Sequence, residues 1–478
     1  MTIVLAMALA CAEMTAFHAP GVSITKAEPI VDNLPARCRV DGVIDQRTGA
    51  AGKSYGIGFA LALPDNWNGR FVFQGGGGLN GTVQNPVGAQ ASGDMSALAR
   101  GFAVVTTDTG HKGTGAFDGS FQADQQASLD FYYAAIGRVA PVAKELIAHY
   151  YGRPPDHSYY VGCSTGGREA LLMSQRYPAY FDGIVSGDPA IRTGYSNLGL
   201  AYFAATVNAI TPKLSDNDKQ LIVDSVVKTC DEKDGLKDGM IFNPQACTFN
   251  PNQLVCSGGK TESCLTAEQA SGIQKAFAGP KDSRGNSIYP AFPFDAGIMD
   301  PSGIPGILLS GGRSPVNPPS TNSVFDAEKA AFDVATNATA RTGDATWTNL
   351  STFSGHGGKL IFYHGMSDPW FSPLDTVGYY EKMSRENGGL DKVKDWSRLF
   401  LVPGMGHCAG GTVTVDSFDM LTAITDWVEN GKAPDAVIAK SRTSPVRQRP
   451  LCPYPAHAQY LGQGDPQDSK NFTCRNSN

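Results

Sequence analysis

The chain has 478 residues, 41% of them hydrophobic and 18% charged, a globular composition that excludes a disordered chain. It is longer than one compact core supports, since single cores stop growing near about 250–300 residues, so a main domain with a large insertion or a second domain is expected. The formal net charge of −6 comes without a basic cluster, which argues against a nucleic-acid partner, and no run of about 20 apolar residues marks a transmembrane helix.

Residues 1–10 (MTIVLAMALA) are short and apolar. They read as the apolar part of a signal peptide lacking its basic segment, with a first strand as the alternative and lipidation of Cys11 as a third reading. Residues 58–63 (GFALAL) and 70–74 (RFVFQ) are predicted strands, and 101–106 (GFAVVT) is a nearly continuous apolar run of the buried parallel type. Ile136, Val139, Val142, Leu146 and Ile147 recur at helical spacing and predict a helix over 132–151. A strand at 159–162, a helix at 166–176 and a strand at 182–186 continue the alternation, which implies a parallel sheet covered by helices. From 187 to 351 the rhythm breaks: this stretch holds four cysteines, many Pro and Gly residues and few strand-like runs, and 301–319 reads as loop. Alternation resumes at 358–364 (GKLIFYH) and 397–403, followed by a helix at 418–430. The expected organisation is a first core part at 1–187, an inserted lid at 188–352 and a second core part at 353–478, with a Pro-rich tail from Arg449.

Ten cysteines, an even number, suggest five disulfides and an oxidising compartment, hence a secreted or periplasmic protein. No Cys-x-x-Cys pair supports a zinc site. Sequence alone does not fix connectivity. Pairing of neighbours would join Cys11–Cys38, Cys230–Cys247, Cys256–Cys264 and Cys452–Cys474, leaving Cys163 and Cys408.

Gly162-Cys163-Ser164-Thr165-Gly166 is a Gly-x-Ser-x-Gly motif that follows a predicted strand and opens a predicted helix, the context of a nucleophile elbow. Such a turn lifts the serine hydroxyl to the end of the sheet and places the Thr165 amide at a helix N-terminus, where it can donate to an oxyanion. A glycine-rich turn with an ordinary serine is the competing reading. In this class of site the acid and the histidine follow the nucleophile in that order. Asp368 falls just past the strand at 360–364 and His407 just past the strand at 399–402, at the carboxyl ends where open parallel sheets place ligand sites. His407 would take the Ser164 proton and Asp368 would hold the imidazole tautomer. Among the rivals, His364 reads as structural, His111 as a residue of the site wall and Asp108 as a structural hydrogen-bond acceptor. Residues 75–78 (GGGG) follow a strand without the Lys-Ser/Thr of a phosphate loop, so they read as an oxyanion loop with the Gly78 amide as donor and Gly77 as runner-up. A Cys163–Cys408 bond would tie the residue before Ser164 to the residue after His407, at about 4–5 kcal/mol in the chain-entropy picture.

GCSTGGRE, HGMSDPWFS and PGMGHC together resemble the tannase and feruloyl esterase family, which also includes mono(2-hydroxyethyl) terephthalate hydrolase, and the resemblance runs from Cys38 to the RPLCPYP segment. It implies an α/β-hydrolase fold, mainly a parallel sheet with helices on both faces, with a large inserted lid. It also implies a disulfide-linked Ser164–Asp368–His407 triad and hydrolysis of esters of aromatic acids: hydroxycinnamates, gallates or terephthalate. It implies structural calcium in the lid, with Asp231, Asp234 and Asp238 as carboxylate ligands and Leu236 and Met240 as carbonyl ligands. Three carboxylates within eight residues suit a hard cation, although the spacing is not that of an EF-hand. Phe371 matches an aromatic wall residue. Arg313 is the candidate for the arginine that grips a free carboxylate in the terephthalate enzyme, in a segment, 306–325, that is shorter here. The expected partner is a small aromatic ester. A peptidase of the same fold and a non-catalytic, calcium-dependent binding protein are the rival functions.

Overall fold

The computed structural model describes residues 9–300 and 325–476; the calls on 1–8 and on Arg313 and its segment up to 324 lie outside them. A nine-stranded sheet organises the molecule, in the order β1-β2-β3-β5-β4-β6-β7-β8-β9. From β5 (Ala103–Thr107) through β4 (Arg70–Gln74), β6 (His157–Cys163), β7 (Gly183–Gly187), β8 (Lys359–Gly365) and β9 (Ser397–Val402) every pairing is parallel. β1 (Val22–Ile30), β2 (Arg37–Thr48) and β3 (Ser54–Pro64) extend it as an antiparallel wing.

Strand side chains alternate between two buried cores, as a pleat with both faces covered requires. Phe71, Phe73, Val105, Tyr160, Ile184, Phe362 and Leu399 share one core with α1 (Ala135–Tyr151), α2 (Thr165–Arg176) and α6 (Pro373–Glu386). Val72, Val104, Tyr159, Val161, Val185, Ile361 and Phe400 face the other, against α7 (Met420–Asn430). Leu146 of α1 and Ile424 of α7, one on each side, are fully buried.

Between β7 and β8 no strand joins the sheet among the described residues. The chain forms α3 (Thr193–Ala209), α4 (Asp216–Cys230) and α5 (Ala267–Phe277) around a third core that includes Phe203, Val226, Ile273 and Phe277. Ser215 and Thr266 close reciprocal capping boxes at the starts of α4 and α5, each satisfying two terminal backbone donors. All ten cysteines are bonded, as Cys11–Cys38, Cys163–Cys408, Cys230–Cys247, Cys256–Cys264 and Cys452–Cys474. Cys11 therefore has no thiol to acylate, which removes the lipidation reading.

Several elements went unread in the sequence, the edge strand and the tail strands among them. β1 alternates weakly and carries Lys26, Glu28 and Pro29, because it is the sheet's edge and is defended against further pairing. The tail is not only Pro-rich loop: β11 (Gln448–Leu451) pairs with β10 (Val437–Lys440), and β12 (Ala456–Tyr460) pairs with β13 (Phe472–Asn476).

Where β4, β6 and α2 meet, backbones touch without side chains between them. A Cβ on Gly166 would sit 2.7 Å from the Gly76 carbonyl oxygen, and one on Gly162 would sit 2.3 Å from the Gly166 carbonyl oxygen. Gly166→Ala should therefore cost about 1–3 kcal/mol, whereas Gly378→Ala, in the open on α6, should gain about 0.5–1 kcal/mol. Urea denaturation of the two variants checks both signs.

Candidate active site

β6 runs into Ser164 and α2 begins at the next residue. Ser164 takes φ 64° and ψ −124°, a conformation that costs a non-glycine residue energy and persists only where the surroundings enforce it. They do so here: the Ser164 amide donates to Gly187 O at 3.0 Å, and its carbonyl accepts from Arg168 N at 3.0 Å. Cys163 is bonded to Cys408 with their Cα atoms 5.9 Å apart, which holds the elbow beside the His407 loop.

His407 Nδ1 lies 2.7 Å from Asp368 Oδ2. The other oxygen of Asp368 accepts from the amides of Trp370 (2.7 Å) and Phe371 (3.2 Å), so the carboxylate cannot rotate away. His407 Nε2 has no hydrogen-bond partner among the described residues, and His407 lines the same cleft as Ser164. Burial opposes a charge on His407, but Asp368's charge and hydrogen bond outweigh it and raise the pKa of the ring. Burial likewise opposes ionisation of Asp368, and the facing His407 and His364 overcome it and lower its pKa.

In the glycine run, the amides of Gly75, Gly76 and Leu79 are engaged by Val161 O, Glu169 Oε2 and Ala116 O, at 2.9, 3.0 and 3.0 Å. The amides of Gly77 and Gly78 are the ones left over, and both residues line the Ser164 cleft. The Thr165 hydroxyl donates to Gly78 O, tying the loop to the start of α2, where Thr165 is the first helical residue and its amide has no intrahelical acceptor.

Two recesses meet at Ser164 and Gly78. One, of about 790 Å³, is walled by Gln84, Asn85, Gln90, His407 and Arg442 among others. The other, of about 190 Å³, is walled by Leu79, Phe117, Trp370 and Phe371, with Thr193 and Asn197 as polar members. Phe371 packs edge-on against His407 at 5.1 Å, and Phe117 stacks on Trp370 at 5.3 Å.

His111 does not line either recess, contrary to its reading as site wall. It stacks on Phe121 at 3.9 Å and faces a separate cavity beside β2 and β3. Asp108 accepts from the amides of Gly58 (2.8 Å) and Gly110 (3.0 Å). Glu169 and Asp188 went unremarked in the sequence. Glu169, one turn into α2, holds Gly76 N, Asn80 Nδ2 and the Tyr160 hydroxyl at 3.0, 2.8 and 2.8 Å and so anchors the glycine run. Asp188, the residue after β7, accepts from Gly365 N and Cys408 N, each at 2.7 Å. Its place just past a parallel strand was the available signal.

Asp231, Asp234 and Asp238 share one loop inside the Cys230–Cys247 disulfide. Asp231 accepts from Gly239 N at 2.9 Å and Asp234 from Leu236 N at 3.0 Å. Asp238 accepts from Met240 N at 3.1 Å and also pairs with Arg449. Burial pushes the Asp234 carboxyl up to about 7 and raises Asp231 as well, with Asp238 adding to both. An all-oxygen donor set whose charges disfavour one another fits a hard divalent cation. Among the described residues, the acidic, His and Cys groups that converge to within 4.8 Å are Cys163–Asp188–Cys408 and Asp188–Asp368–His407, so the three loop carboxylates would have to draw together around an ion.

Residues 38–475 match the family described as Tannase and feruloyl esterase. The chain is 38% identical to mono(2-hydroxyethyl) terephthalate hydrolase of Piscinibacter sakaiensis, over 92% of this chain and 85% of that one. It is 31% identical to feruloyl esterase B of Aspergillus niger, over 86% and 82%. The crystal structure of feruloyl esterase B from Aspergillus oryzae superposes with a TM-score of 0.82 at 25% identity, covering 98% of this chain and all (100%) of that one. By sequence, by fold and by the elbow that carries Ser164, the chain belongs to the tannase and feruloyl esterase family.

Proposed function

We propose that the protein is a serine carboxylic ester hydrolase for esters of aromatic acids, closest in specificity to the feruloyl type, with Ser164, His407 and Asp368 as its triad and residues 188–352 as its lid. The observation that carries this reading is the His407–Asp368 contact at 2.7 Å, with Nε2 left open toward the cleft that Ser164 lines. Ser164 Oγ attacks the ester carbonyl as His407 Nε2 takes its proton. The carbonyl oxygen gains charge against the amides of Gly78 and Thr165, a contribution typically worth about 3–4 kcal/mol per donor. His407 then protonates the departing alcohol, and water, activated by the same ring, releases the acid.

The smaller recess suits the aromatic acyl group, because its walls are Leu79, Phe117, Trp370 and Phe371. Its polar members, Thr193 and Asn197, are neutral and suit a phenolic hydroxyl or methoxyl group better than a free carboxylate, which calls for a cation. Among the described residues lining this recess there is none. The larger, carboxamide-lined recess would take the alcohol. Five disulfides favour an oxidising compartment, secreted or periplasmic, and no helix among the described residues is long and apolar enough to cross a membrane.

Methyl ferulate and methyl gallate should be hydrolysed with higher kcat/KM than mono(2-hydroxyethyl) terephthalate; the reverse order would overturn the assignment of the smaller recess. Ser164→Ala should lower kcat by about 10⁴–10⁶ with folding retained. A folded, fully active variant would remove Ser164 from the chemistry, and a folded, inactive one excludes a non-catalytic binding protein. The raised pKa of His407 places the acid limb of kcat/KM above the ordinary imidazole value of about 6.5, since only the neutral ring accepts the Ser164 proton.

We further propose that Asp231, Asp234 and Asp238, with the carbonyls of Leu236 and Met240, hold a structural calcium ion. Without metal, the folded pKa of Asp234 lies above its unfolded value, so the native state binds the extra proton. The metal-free protein should therefore lose stability as the pH rises from about 4 to 7. Calcium at a hundredfold excess over its Kd should add about 3 kcal/mol and flatten that slope. Thermal melts with calcium and with EDTA, at pH 5 and pH 7, check both; identical midpoints would exclude the ion.

A further inference from the structure

His364, at the end of β8, is completely buried and is not a member of the triad. Its Nε2 faces three acceptors: Phe371 O at 3.0 Å, Asp368 Oδ2 at 3.3 Å and Asp188 Oδ1 at 3.6 Å. Nε2 must therefore carry a hydrogen. Its Nδ1 lies 2.8 Å from Thr376 Oγ1, a hydroxyl oxygen able to accept a second one. Asp368 Oδ2 is the same oxygen that meets His407 Nδ1 at 2.7 Å, so two imidazoles share one carboxylate oxygen.

Asp188 is equally buried. Both of its oxygens accept backbone amides, Gly365 N on Oδ1 and Cys408 N on Oδ2, each at 2.7 Å. The other close neighbour of Oδ2 is Cys163 Sγ of the disulfide, at 3.2 Å. That surrounding suits a carboxylate, because a protonated carboxyl would have to turn a hydrogen toward an amide or a sulfur. Two carboxylates and two imidazoles thus occupy one dry region. If both rings were neutral, two like charges would lie buried together without a counter-ion, which is strongly unfavourable.

We propose that Asp188 and His364 form a buried ion pair beneath the triad, in which His364, held as an imidazolium, shares Asp368 with His407, while Asp188 fixes the amide of Cys408 next to His407. Both are positioning residues, acting through Asp368 and His407 without touching the ester. With His364 charged, the cluster carries one net negative charge at rest and none when His407 becomes the imidazolium during acyl transfer. The His364 cation also draws on the charge of Asp368, so His407 is less basic than Asp368 alone would make it. The other groups facing His364 fit this picture. Asp375 on α6 is already paired with Arg192, the residue before α3, the Tyr363 phenol beside Asp188 is kept un-ionised by burial, and Asp368 and His407 are the groups that the pair adjusts. Burial opposes a charge on His364, and Asp188 and Asp368 outweigh it to raise its pKa. Burial pushes Asp188 up, against the pull of His364.

The inference rests on the triad reading, and its test separates the two. Imidazole ¹⁵N NMR of the full-length protein at pH 7, in wild type and in Ser164→Ala, should show one buried histidine protonated on both nitrogens. That signal should disappear in His364→Gln. A neutral His364 in the wild type overturns the proposal whatever the activity shows, whereas an active Ser164→Ala sinks the triad alone. In kcat/KM profiles with p-nitrophenyl acetate, His364→Gln should move the acid limb to higher pH by about half a unit or more, because it removes the cation that opposes a charge on His407. An unmoved or lowered limb in folded His364→Gln, or a His364 still protonated on both nitrogens in folded Asp188→Asn, overturns the proposal. If either variant fails to fold, the wild-type NMR measurement decides it.

Discussion

The bond between Cys163 and Cys408 is the constraint on which the geometry of the site depends. Ser164 and His407 come from strand ends separated in the sheet by β7 and β8. A covalent link one residue before the serine and one after the histidine limits how far the two can drift, and catalysis by a proton-relaying pair tolerates little drift. The bond has a second support in Asp188, whose carboxylate touches Sγ of Cys163 and the amide of Cys408 at once.

The inserted helices are locked to these same loops. Asp295 lies between α5 and β8 in sequence and is buried. It accepts from Ser367 Oγ at 2.6 Å and Gly404 N at 2.7 Å, one on the Asp368 loop and the other on the His407 loop. Trp370 and Phe371, two and three residues past Asp368, pack into the core formed by the inserted helices. The aromatic recess is therefore built from both parts of the chain, and a change inside the insertion's core reaches Asp368, the proposed acid of the triad, through three residues of backbone. Rigid coupling of that kind would let the proposed lid set specificity without loosening the proposed catalytic loops.

Much of the sheet was legible because its strands obey one rule: short apolar runs, buried on both faces, most of them followed by a helix of amphipathic spacing. The predicted strands 70–74 and 182–186 lie within a residue of β4 and β7. Ser164, Asp368 and His407 could be picked out because each stands just past such a strand, where a parallel sheet presents its residues to a ligand. β1 was not legible, since an edge strand is half solvated and its side chains answer to water more than to packing. Nor was the tail, whose hairpin is held by Cys452–Cys474 and by pairing instead of by a hydrophobic period. His111 looked like a site residue from its loop, yet the chain turns it against Phe121, a contact that no local pattern announces.

Asp188, Asp295 and Glu169 went unassigned for a shared reason. Loops at strand ends leave amides without ladder partners, and in a dry interior each of those amides needs an acceptor. A buried carboxylate has the opposite need, because it is tolerated only where donors surround it. The two needs meet four times in this site: Glu169 takes Gly76, Asp188 takes Gly365 and Cys408, Asp295 takes Gly404, and Asp368 takes Trp370 and Phe371. Of the four, only Asp368 also meets the ring that would do chemistry. In sequence an aspartate after a strand looks the same whether it orders a loop or orients a histidine. The distinction lies in which amides fold back onto it, and that is settled by distant segments such as residue 408 reaching residue 188.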